Sequence, residues 1–144
     1  MHDARMTGNS EPSMTENREL GRPPIVLGDV VLDTTDPPGL ATFYSRLLGW
    51  PITRREEDWW CIRGGDLGPR LSFQLAPDHR PPTWPGDDVP QQFHLDLDVP
   101  EADLAGAVSY AESLGAVLAD NSASAPSFVV LLDPSGHPFC LCAV

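Results

Sequence analysis

Two stretches of this chain spell the same strand–helix–strands pattern. His94, Leu97 and Asp98 stand 65 residues after Asp29, Leu32 and Asp33, while Tyr110 and Leu114-Gly115 stand 66 residues after Tyr44 and Leu48-Gly49. The one residue of drift falls between strand and helix. A supersecondary unit written twice implies two copies of one packing solution, related by a pseudo-two-fold axis.

Each copy reads in the same order. Ile25 to Thr34 alternates as a strand, with Val30 and Leu32 on one face and Asp29, Val31 and Asp33 on the other. Asp36 before Pro37-Pro38 is an N-cap signal, because its carboxylate can accept from the first helical N–H groups and proline suits the first turn. Leu40, Phe43, Tyr44, Leu47 and Leu48 then follow at helical spacing, and Gly49 is placed to end the helix. Strands are expected near Trp50–Arg55, Trp59–Arg63 and Arg70–Leu75. In the second copy, Gln92–Val99 reads as a strand with Phe93, Leu95 and Leu97 opposite His94, Asp96 and Asp98. Pro100 opens a helix ended by Gly115. Strands follow near Ala116–Asp120, Ser127–Leu132 and His137–Ala143, the last two joined by the tight turn Asp133-Pro134-Ser135-Gly136. Between the copies, residues 76–90 are too proline-rich for a regular element.

The predicted class is therefore α+β: two βαβββ modules forming a curved mixed sheet around a cavity. Residues 1–24 are polar, lack apolar periodicity and read as a disordered tail, leaving 25–144 as one domain. The length of 144 residues suits a single core.

Composition narrows the partners. A net charge of −12 opposes binding to nucleic acid or an anionic membrane, since both are approached through basic patches. No apolar run approaches the roughly 20 residues of a membrane helix, and no secretory leader is visible. The three cysteines, Cys61, Cys140 and Cys142, do not make a disulfide framework. A cytoplasmic protein is expected. Cys140 and Cys142, two apart in a strand, share a face.

Polar residues on the face away from each helix point to a wet cavity, because carboxylates in a closed core are costly. On that side stand Asp29 in the first copy and His94, Asp96 and Asp98 in the second. Of Trp59 and Trp60 only one turns inward, given strand alternation, and we take Trp60. Trp84, in the proline-rich loop, is placed to cover a cavity mouth. His137 in its turn is structural or exposed, and His79 and His2 draw no functional claim.

Three motifs carry a family likeness. Tyr44-Ser45-Arg46-Leu47-Leu48-Gly49-Trp50 resembles the helix-end signature of the glyoxalase/bleomycin-resistance/extradiol-dioxygenase (vicinal oxygen chelate) superfamily. His94-Leu95-Asp96-Leu97-Asp98-Val99 resembles its central strand, and Asp133-Pro134-Ser135-Gly136-His137-Pro138-Phe139-Cys140 its closing hairpin. The resemblance spans about Ile25 to Val144. It implies one metal ligand from the first and last strand of each half, here Asp29, Gln74, His94 and Cys140, and hence a divalent cofactor (zinc, iron, manganese or nickel). Only His94 matches the residue type usual at its position. Gln74 and Cys140 stand where glutamate is usual, so the likeness does not carry glyoxalase I activity with it.

Two functions follow. One is an enzyme of lyase, isomerase or dioxygenase type acting on a small organic molecule, with or without a divalent metal, with His94 as ligand or acid/base. The other is a non-catalytic binding protein of bleomycin-resistance type, with Asp29, Gln74, Asp96, Trp60 and Trp84 contacting the ligand. The resemblance also implies a homodimer. Cys140 reads as a thiolate ligand, as a nucleophile were its pKa lowered, or as an inert small core residue.

Overall fold

The computed structural model describes residues 22–119 and 127–144. In the first module, strand β1 (Asp29–Thr34) leads to helix α1 (Pro37–Leu48), then β2 (Ile52–Arg55), β3 (Trp59–Ile62) and β4 (Arg70–Leu75). The second has β5 (Leu95–Val99), a 3-10 turn (Glu101–Asp103), helix α2 (Leu104–Ser113), β6 (Val117–Leu118), β7 (Phe128–Leu132) and β8 (Pro138–Ala143). The fold is α+β, with two four-stranded mixed sheets ordered β1-β4-β3-β2 and β5-β8-β7-β6. In each module the first strand pairs in parallel with the last, and the other pairings are antiparallel.

Helix α1 forms where its signals stand. Asp36 Oδ1 accepts from the Gly39 N–H at 3.1 Å. Gly49 closes the helix in the left-handed region at φ 69°, its N–H donating to the Ser45 carbonyl. Two strands start three or more residues later than expected. Ile25, Val26 and Leu27 are 83%, 68% and 66% exposed and join no sheet, because no strand lies alongside them. β5 starts at Leu95, leaving Phe93 outside the core at 58% exposure. The second helix opens as a 3-10 turn after Pro100 rather than as an α-helix. The tail assignment falls almost wholly on residues 1–21, outside the described residues, as does Asp120 at the end of an expected strand.

One core joins the modules. Leu32, Leu71 and Phe73 from the first sheet meet Phe139 and Leu141 from the second around Leu40, Phe43 and Tyr44 of α1. Tyr44 is the junction: its ring stacks on Phe73 at 5.8 Å and meets Phe139 edge-on at 6.0 Å. Its hydroxyl donates to Asp133 Oδ2 at 2.7 Å. Tyr110, its repeat partner, stays 49% exposed and donates to the Arg46 carbonyl at the end of α1. Burial raises the Asp133 carboxyl above its ordinary value, against the opposing effect of His137 and of its hydrogen bonds from Tyr44, His137 and Ser135. Tyr44→Phe removes a donor from that buried carboxyl, and is expected to cost about 1–3 kcal/mol in urea denaturation.

Candidate functional site

Strand parity builds the site on the second sheet. Leu95 and Leu97 of β5, and Phe139 and Leu141 of β8, pack against the core. Their alternates Asp96, Asp98, Cys140 and Cys142 therefore share the opposite face. The parallel register sets Asp96 beside Cys140 and Asp98 beside Cys142. His94 lies one residue before β5, its Nε2 3.1 Å from Asp96 Oδ1. One donor atom from each of His94, Asp96 and Cys140 lies within 4.8 Å of the others. His94 and Asp96 have side chains 41% and 58% exposed, whereas Cys140 is buried. Burial pushes the Cys140 thiol up to about 11, with the Asp96 charge the next cause. The same two influences raise Cys142, with Asp98 adding to them. Neither thiol ionises readily at neutral pH unless a cation offsets those influences. Trp84 packs with Cys140, Cys142, Val130 and Ala119 in a small apolar cluster on this face.

The first sheet treats its equivalent position differently. Asp29 is held by Arg70, whose Nε donates to Oδ1 at 2.7 Å and whose Nη2 contacts the same oxygen. The Ser72 hydroxyl donates to Asp29 Oδ2 at 2.6 Å, and Cys61 Sγ lies 3.0 Å from Ser72 Oγ. The Trp59 indole N–H donates to Cys61 Sγ at 3.1 Å, completing the chain of contacts. Asp29 is thus partnered within its own sheet. The Arg70 hydrogen bond, then that of Ser72, holds the Asp29 carboxyl below its ordinary value of 3.8 against the opposing effect of burial. A lowered folded value means that the unfolded chain binds the proton more tightly. The Asp29–Arg70 contact therefore stabilises above 3.8 and is lost as pH falls through the folded value. The stability difference between wild type and Asp29→Asn is expected to shrink from about pH 6 to about pH 3, measured by urea denaturation.

Gln74 also stands apart. It pairs with Asp33, four residues along from Asp29 and so about 13 Å from it. Asp29 and Asp33 pair with Arg70 and Gln74, and Val31 between them pairs with Ser72. The counterpart of the Asp96–Cys140 pair is therefore Val31–Ser72, and the counterpart of Gln74 is Cys142. The last strands begin 68 residues apart, at Arg70 and Pro138, not 66. Two additional residues between helix and final strand in the second module shift the alignment by one side-chain repeat. Trp60 packs against the common core, while Trp59 hydrogen-bonds on the opposite face, the reverse of the expected parity.

A cavity of about 310 Å³ lies between β1, β4 and the linker. Val31, Asp33 and Gln74 line it from the first sheet, His79 and Gln91 from the linker, and His137 from the β7–β8 turn. The linker is pinned to that turn. Gly136, at φ 83°, lets Pro81 approach so closely that a Cβ would collide with it. The His79 and His137 rings lie 4.8 Å apart, tilted by 31°. The pair draws no signal from periodicity, because both residues lie in loops. A broader hollow of about 420 Å³ runs beside α1 between Asp36 and Arg46, and Asp36 there is already occupied as a cap.

Comparison with known proteins agrees with this architecture. No functionally curated protein matches the chain. A glyoxalase/bleomycin resistance protein/dioxygenase family enzyme from Burkholderia phytofirmans PsJN is 19% identical with a TM-score of 0.66, over 83% of this chain and 99% of that one. A glyoxalase-related enzyme from Fulvimarina pelagi is also 19% identical, with a TM-score of 0.63 over 83% and 88% of the two chains. A bleomycin-binding protein solved with bleomycin is 24% identical, with a TM-score of 0.53 over 83% and 98%. These likenesses establish a shared fold. The family model of the glyoxalase-like domain matches residues 29–142, and the chain belongs to that family, within the vicinal oxygen chelate superfamily.

Proposed function

We propose that this chain handles a small organic molecule at a divalent metal centre held by His94, Asp96 and Cys140. One nitrogen, one oxygen and one sulfur donor converging within 4.8 Å carry the reading. That set suits zinc, and the thiolate also suits iron or nickel better than manganese. Three protein ligands leave a coordination position for a ligand, as in catalytic rather than closed structural sites. A metal bound there supplies Lewis-acid polarisation of a substrate oxygen. The chain's own part is to orient the imidazole through Asp96, and to give up the Cys140 thiol proton on loading. Asp29, held by Arg70, and Gln74, which lines the cavity on the first sheet, are not in this set.

A metal-free binding protein is the second reading. It rests on Trp84, which lays an aromatic surface over Cys140 and Cys142, and the bleomycin-binding neighbour is a structural relative that binds a small molecule. A cytoplasmic setting belongs to both readings, because all three thiols are free. So does a homodimer, since His94 and Asp96 lie open on the free face of the second sheet, where a second copy can cover them. The test is elemental mass spectrometry of protein purified without chelator. Near-stoichiometric metal is expected. Metal-free protein, after reconstitution with zinc, iron, manganese and nickel in turn, would overturn the metal centre and leave the binding reading.

A further inference from the structure

The cavity beside β1 and β4 includes no residue of the His94 centre, and its chemistry is of another kind. His79 Nε2 lies 3.0 Å from the Ser135 carbonyl oxygen, and His137 Nε2 lies 2.6 Å from that of Asp33. A carbonyl only accepts, so each ring carries its proton on Nε2. The neutral ring is then left with an acceptor at Nδ1. Gln91 Oε1 is buried with no hydrogen-bond partner among the described residues. The Asp33 carboxylate makes no hydrogen bond or ion pair among the described residues, its contact with His137 being through the backbone. Four acceptor-bearing groups thus line one space, with Val31 and Phe93 as its apolar flank. Among the described residues of the lining Arg80 is the only opposing charge, and it is exposed, as is Asp33.

The linker wall is preformed. Thr83 N donates to the Val89 carbonyl at 2.8 Å, and Val89 N donates to Thr83 Oγ1 at 3.1 Å. With Pro81 seated on Gly136, the wall needs little ordering when a ligand enters. An excess of acceptors around a carboxylate selects a ligand rich in N–H donors and positively charged. The protein's net charge of −12 attracts cations over longer range.

We propose that this cavity binds a compact organic cation, an amidine or primary amine carried on an aromatic body. The site is independent of the metal centre, so its test is run in excess chelator on the full chain. Benzamidine and phenethylamine are titrated by protein-observed NMR, beside benzoate and benzamide as the anionic and neutral counterparts. Both cations are expected to bind and to shift the amides of Asp33, Gln91 and His137. Benzoate is expected not to bind, and benzamide to bind more weakly. Asp33→Asn, which keeps the backbone contact with His137, is expected to weaken the cations at least about tenfold. Gln91→Leu is expected to weaken them as well. The proposal is overturned if neither cation shifts these amides at about 10 mM, if benzoate binds as well as benzamidine, or if Asp33→Asn leaves the affinity unchanged.

Discussion

Replacing Phe139 with alanine is expected to remove about 3–5 kcal/mol of folding stability, the range for emptying a buried phenylalanine site. Phe139 is 0% exposed and is the ring that β8 sends into the space beneath α1. It meets Phe43 at 5.9 Å and Tyr44 at 6.0 Å, both edge-on. Tyr44 cannot swing into the void without giving up the Asp133 hydrogen bond, so the cavity stays largely open and the loss sits toward the upper end. A domain of this size has a total stability of about 5–15 kcal/mol, so a large part of it rests on one ring. Urea denaturation is expected to show a much lower midpoint with an unchanged slope. Phe128→Ala, at a position 41% exposed on the neighbouring strand, is expected to change the midpoint little. Equal, small effects of the two substitutions would show that the second sheet does not pack on α1.

What the sequence conveys follows strand parity and local caps. The alternation of Leu95, Asp96, Leu97 and Asp98 tells which residues of β5 reach the core, and Asp36 and Gly49 mark the ends of α1 before any tertiary contact is known. The family likeness is what names His94 and Cys140 together as ligand positions, and the register makes Asp96 a neighbour of Cys140. Four things depend on long-range pairing and are not legible in the sequence. Asp29 is taken by Arg70, a partner 41 residues away, chosen by the β1–β4 register. Gln74 moves out of line with Cys140 because loop length changes between the modules. Choosing between Trp59 and Trp60 needs the knowledge of which face of β3 meets the helix, and a four-residue strand apolar on both faces withholds it. The His79–His137 ring contact joins the β4–β5 linker to a turn, where no period exists to be read.

His94→Ala is expected to lower metal affinity at least about 100-fold, since even the loss of an outer partner of a ligating group costs 10–100-fold. Cys140→Ser should match it, because a serine hydroxyl does not replace a thiolate at neutral pH. Asp96→Asn should weaken binding less, keeping one oxygen donor without its charge. The contrast that decides the geometry lies in the first sheet. A centre drawing on all four strands requires Asp29 and Gln74, so Asp29→Asn or Gln74→Ala would strip the metal. A centre confined to the second sheet keeps it in both variants, with Asp29→Asn changing only the pH dependence of stability. Zinc competition titrations on the five variants separate these outcomes, and near-neutral pH is the condition to choose. There the Cys140 thiol, at about 11 without metal, must give up its proton to bind. The apparent affinity of wild type is therefore expected to rise with pH, by up to about tenfold per unit from that one proton. Cys140→Ser should flatten that rise, whereas Asp29→Asn should leave it intact.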